Sequence, residues 1–263
     1  MAAPPSALET VLERDRRVVI VGLATVMVAA WTYTLAGIGM PMSAFEMTAG
    51  GGAMARAAWS PAYAVAVFFM WWIMMIAMML PSAGPTILLY AAVNRKSAAR
   101  GRPGVPAGVF AVGYLTAWAG FSGAAAGLHW ALERAALLSP MMATASVLVG
   151  GGLLIAAGLY QLTPLKHACL RHCRAPIQFL TTRWRPGRTG AFRMGLEHGA
   201  FCLGCCWVLM VLLFYGGVMN LYWIAGLALF VLVEKLAPIG HWLSFGAAGG
   251  LIAWGGWVLF TAA

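Results

Sequence analysis

Apolar runs of about twenty residues alternate along the chain with short polar segments, the length a helix needs to cross a bilayer. The first run is read from Val18 to Ala36 and the second from Ala62 to Leu80. There Pro81-Ser82-Ala83-Gly84-Pro85 interrupts it before TILLYAAV leads on to Asn94. Two prolines four residues apart predict a helix broken at Pro81 and Pro85, because each removes a backbone donor. Further runs follow at 105–128, 141–162, 195–218, 221–234 and 240–260, the last three joined by very short links. The expectation is an all-α, polytopic membrane bundle of seven helices, with six as the fallback. Residues 1–17 form a tail, and 18–263 form a single transmembrane domain.

Composition supports the class. Of 263 residues 62% are hydrophobic and only 9% charged, far below the quarter or so usual in soluble domains. The formal net charge of +10 would suggest nucleic acid in a soluble chain. Here the basic residues sit in short loops between apolar runs, so they report topology and no nucleic-acid partner is expected. With the N-terminus in the cytoplasm, all but Arg56 and Arg134 of the 17 lysines and arginines fall on the inner side. The expected location is therefore a bacterial inner membrane, with lipid around the bundle. No GxxxxGK[ST] loop occurs, so ATP is not handled by such a motif within this chain.

The chemistry-bearing positions gather in MGLEHGAFCLGCCWVLM, residues 194–210. His198, Cys202, Cys205 and Cys206 follow at i, i+4, i+7 and i+8, close to one helical face. Polar groups are costly in lipid, so such a cluster calls for a function. Imidazole and thiolate suit zinc and Cu(I). Span two reads FFMWWIMMIAMML and carries Met70, Met74 and Met78 at successive turns, with Met75 and Met79 beside them. Thioethers are soft ligands that favour Cu(I), although methionine also serves as an adaptable packing residue. The segment LKHACLRHCR adds Cys169 and Cys173 at i, i+4, candidates for a relay at the cytosolic side. Its arginines equally fit an interfacial helix on anionic lipid. Glu234 and Lys235 end span six; Glu234 is a candidate ligand or proton relay, and Lys235 is read as snorkelling to the interface. His129 and His241 are read as boundary residues, and Glu197 as an interfacial charge. Met40-Pro41-Met42 and Met47 are weak candidates for capturing copper from outside.

MMIAMMLPSAGPTILLY, LKHACLRHCRAPIQFL and MGLEHGAFCLGCCWVLMVLLFYGGVMNLYWIAGLALFVLVEKLAPIG together resemble a bacterial family of unknown function. It is described as predicted metal-binding integral membrane proteins. The similarity covers roughly residues 60–240, and HGxFCxGCCW is its most specific part. The resemblance implies a multi-span fold and a metal site over Met78, Met79, Cys169, Cys173, His198, Cys202, Cys205, Cys206 and Glu234. The expected function is handling of a soft ion, Cu(I) before zinc, by transport or by delivery to a metalloenzyme. A cytosolic or periplasmic metal carrier would be a partner. Two rivals stay open: a thiol oxidoreductase working through Cys202-Leu203-Gly204-Cys205 with quinone or haem, and an assembly subunit or homo-oligomer partner.

Overall fold

The protein is described by a computed structural model over residues 7–38, 40, 43–49, 58–98, 104–139 and 142–262, leaving aside the side chains of 7–15 and 98. Pro41 and Met42 of the copper-capture candidate, and the outer-side Arg56, lie outside these residues. Eleven helices account for the described architecture, and among the described residues the only β pairing is one isolated bridge between Leu138 and Thr144. In chain order they are α1 (Ala7–Ala36), α2 (Ala44–Thr48), α3 (Pro61–Ala98), α4 (Ala107–Arg134), α5 (Val147–Gln161), α6 (Pro164–Arg174), α7 (Pro176–Thr182), α8 (Gly187–Val211), α9 (Leu213–Gly216), α10 (Leu221–Leu236) and α11 (Gly240–Phe260).

A helical segment stands at each of the seven expected spans. Five of them are long and apolar enough to cross a membrane alone, within 16–36, 61–97, 107–134, 187–216 and 240–260. A sixth arises if α5 and α6 count as one span, bent by 63°. The 16 residues of α10 extend about 24 Å, short of a hydrocarbon core of about 30 Å. Its first turn is fixed by Asn220, whose side chain accepts from the Tyr222 N–H.

The break expected at Pro81 and Pro85 does not occur. α3 runs uninterrupted for 38 residues through both prolines. Side chains supply donors to the backbone beside them: Ser82 Oγ (2.9 Å) and the Tyr114 hydroxyl (3.2 Å) both donate to the Met79 carbonyl. These bonds brace the helix beside the prolines; the carbonyls that Pro81 and Pro85 free are those of Ala77 and Pro81.

Close backbone approach sets the centre of the bundle. A Cβ on Gly195 of α8 would lie 1.9 Å from the Phe110 carbonyl oxygen, and one on Gly113 of α4 would lie 2.1 Å from that of Phe192. Only glycine at both positions lets α4 and α8 meet this closely, and that contact sets His198 and Cys202 beside Tyr114. α6 reaches the same helix further along. A Cβ on Gly204 would stand 2.7 Å from Cys169 Sγ, so Gly204 makes room for that thiol. The residues from Pro164 to Arg174, which include the LKHACLRHCR segment, are thus a helix docked on α8. Thr163 caps it, accepting from the Lys166 N–H, and Pro164 occupies its first turn.

Candidate metal centre

α8 presents its cysteines to a fully enclosed interior. Cys205 and Cys206 are completely buried, and Cys202 is 1% exposed. Both the Cys205 and Cys206 thiols donate back to the Cys202 carbonyl at 3.0 Å, a local pattern that i+3 and i+4 placement makes possible. Cys206 Sγ also lies 3.9 Å from Met79 Sδ, joining the thiols of α8 to the thioethers of α3. From α6, the partly buried Cys173 thiol interacts with those of Cys202 and Cys205, while Cys169 sits over Gly204. Four of the five cysteines and one methionine thus form a single soft-atom cluster from three helices, with Cys169 at its edge.

A charged group completes it. Lys235 Nζ lies 2.9 Å from Cys202 Sγ and 3.3 Å from Ser82 Oγ, and the Tyr114 hydroxyl is 3.0 Å from the same sulfur. Lys235 is 5% exposed, so the snorkelling expected of it is corrected: the ammonium points inward to the thiol. Sulfur, cation and hydroxyl thus make a polar centre inside an apolar bundle.

Other expected members stand apart. Glu234 is completely buried but turns away from the thiols. Its Oε1 accepts from Lys166 Nζ at 2.6 Å and from Ser244 Oγ at 2.5 Å. Lys166, read from sequence as a loop cation, is itself fully buried in this pair. The His198 ring packs among Phe110, Tyr114 and Phe179, with centroids 5.4 to 6.0 Å away, and its Nδ1 has no hydrogen-bond partner among the described residues. Met74 and Met78 are buried on α3, in the same core as the cysteines. Glu197 pairs with Arg183. The residues that sequence reasoning missed are Tyr114, Ser82, Lys166 and the inward role of Lys235. A usable signal was present for the last: an acid–base dyad inside an apolar helix is a candidate site by itself.

These donors are of the kind copper takes: thiolate and thioether are soft ligands that select Cu(I). Among the described residues no three His, Cys, Asp or Glu side chains are arranged to hold one ion. The reason is visible in the geometry: two thiols are turned to the Cys202 carbonyl, and Lys235 faces the third. Rotation of Cys205 or Cys206 about its Cα–Cβ bond would free a donor without moving the helix.

Fold and site together define an all-α membrane bundle with a buried thiol–thioether cluster. Residues 68–258 match the PpoB2 family, described as copper chaperone, and the chain belongs to that family. No curated protein and no solved structure matches the chain. Family and donor set agree on a copper-related function.

Proposed function

We propose that the chain binds Cu(I) inside the bacterial inner membrane and passes it to a metalloenzyme or carrier. The observation that supports this most is the convergence of Cys202, Cys205 and Cys206 from α8 with Met79 from α3 and Cys173 from α6. In this reading two thiolates hold the ion, and Lys235 yields its place beside Cys202 as the ion arrives. Met79, with Met78 and Met74 behind it on the stripe, is a weaker thioether donor, so the ion can step between sites without a deep trap. Cys169 and Cys173 on α6 exchange it with a carrier. His198 supports the thiol face from its aromatic pocket, and Glu234 acts through its ion pair, outside the coordination sphere.

Zinc is the competing ion. Four thiols could also serve zinc, but the Met79 thioether beside Cys206 is a soft, uncharged donor that suits Cu(I) better. Elemental analysis of the purified full-length protein tests the reading. The expected result is stoichiometric copper after reconstitution with Cu(I), lost in Cys202→Ser. A protein that binds neither copper nor zinc stoichiometrically overturns it. A reversible Cys202–Cys205 disulfide with metal-independent turnover would instead establish the oxidoreductase.

A further inference from the structure

Far from the thiols, α4 carries a second buried ionisable group. His129 lies about 22 Å along the helix from Tyr114 and is completely buried. Neither ring nitrogen has a hydrogen-bond partner among the described residues, which is unusual for a buried imidazole. One helical turn on stands Glu133. Its Oε1 is 3.5 Å from His129 Nε2, too far for a hydrogen bond. Its other oxygen is occupied, because the Trp59 indole N–H donates to Oε2. That bond fixes the carboxylate and leaves Oε1 facing the imidazole.

The gap has the width of a shared ion. With bonds of about 2.0–2.1 Å to nitrogen and oxygen, donors 3.5 Å apart subtend about 115° at the ion, close to a tetrahedral angle. Trp59, which holds Glu133 in place, also lines an open groove of about 410 Å³ with Pro61, Ala126 and Trp130. The His129 ring packs edge-on to Trp59 and Phe214, both 6.1 Å away by centroid, which holds it in place.

We propose that His129 and Glu133 form a second metal site, for a divalent first-row transition ion such as zinc or Cu(II), held by one imidazole nitrogen and one carboxylate oxygen. Imidazole and carboxylate suit these borderline ions, whereas the thiol cluster suits Cu(I). The two ends of α4 thereby take ions of different softness. Trp59 is a positioning residue, acting through Glu133. The site stands on its own geometry and does not depend on the thiol cluster binding copper.

The test uses the full-length protein in detergent, with Cys202, Cys205 and Cys206 changed to serine and Cys169 and Cys173 alkylated, so that Cu(II) is not reduced by thiols. One equivalent of Cu(II) should give an electron paramagnetic resonance signal with coupling to a single imidazole nitrogen. His129→Gln should abolish it. Glu133→Gln removes a ligand and should abolish stoichiometric binding, whereas Trp59→Phe should weaken it by roughly 10- to 100-fold, the usual effect of losing a supporting partner. An unchanged signal in His129→Gln, or no stoichiometric Cu(II), overturns the proposal. If the triple variant does not fold, Co(II) is titrated into the wild type as an optical stand-in for zinc. The expected component is a weak visible band without thiolate charge transfer, lost in His129→Gln. Its absence overturns the proposal, while a thiolate band that survives in His129→Gln reports only on the thiol site.

Discussion

α10 ends in two neighbouring charged residues that enter two different buried environments, and the contrast separates structure from chemistry. Glu234 meets Lys166 and Ser244, giving a carboxylate with a cation and a hydroxyl at 2.6 and 2.5 Å. Its charge is answered by hard donors on α6 and α11, which ties three helices together. Lys235 meets Cys202, a soft atom among other soft atoms, and reaches Ser82 as its second partner. The first arrangement is a direct ion pair through one oxygen, while Glu234 Oε2 is buried with no hydrogen-bond partner among the described residues. The second has soft donors left over, which is what a site that accepts and releases a soft ion requires.

The sharpest way to break the contrast is to remove one partner from the ion pair. Glu234→Ala leaves the Lys166 ammonium buried without its counter-ion, and breaking such a pair costs about 3–5 kcal/mol. Thermal unfolding in detergent should show the largest loss of stability in this variant. The double change Glu234→Ala with Lys166→Met should recover much of it. If Glu234→Ala is as stable as wild type but loses copper, Glu234 belongs to the metal site after all.

Lys235→Met probes the open cluster by the same measurement. The Cys202 sulfur keeps the Tyr114 hydroxyl at 3.0 Å, and Ser82 keeps its bond to the Met79 carbonyl. The expected cost is smaller, about 1–3 kcal/mol, within the range for disturbing a buried hydrogen-bonded group. A loss equal to that of Glu234→Ala would show that the two clusters are structurally alike, and the distinction would fail.

How much of this was legible beforehand follows from what each feature depends on. The helices were readable because lipid leaves backbone polar groups no partner but the helix itself, so hydropathy and structure coincide. The i, i+3 and i+4 spacing of Cys202, Cys205 and Cys206 gave their common face for a similar reason. Continuity through Pro81 was not readable, since a proline inside an apolar run can end a helix, kink it or sit within it, and the surrounding bundle decides which. The direction of Lys235 was hidden as well. A long side chain near a helix end can snorkel or turn inward, and only the position of Cys202 on α8 decides between them. Cys169 and Cys173 were readable as an i, i+4 pair on a helix at the interface, but not as residues docked on α8. Their docking depends on the space at Gly204, whose role appears only when α6 is laid against α8.

Gly204→Ala therefore sharpens the comparison from the side of the thiols. The added Cβ would stand 2.7 Å from Cys169 Sγ, forcing α6 outward or the thiol into another rotamer. Overpacking of this kind costs about 1–3 kcal/mol. The Lys166–Glu234 pair also hangs on α6, so a shift of the whole helix would disturb both clusters, whereas a rotamer change would disturb the thiols alone. Labelling of Cys169 by a small maleimide, compared with the loss in unfolding temperature, distinguishes them. Faster labelling with little thermal loss marks the rotamer change.

The smallest effect is expected at Tyr114. Its hydroxyl lies 3.0 Å from Cys202 Sγ and donates to the Met79 carbonyl at 3.2 Å, so it links the thiol helix to the proline-containing stretch of α3. Tyr114→Phe keeps the ring against His198 and removes only that link, at about 0.5–1.5 kcal/mol for a hydrogen bond of this kind. A phenol oxygen is not a soft donor, so bound Cu(I) should stay stoichiometric while unfolding shifts slightly. Loss of copper with unchanged stability would place the phenol in the coordination sphere, and the thiol cluster would then be a mixed oxygen–sulfur site suited to a harder ion.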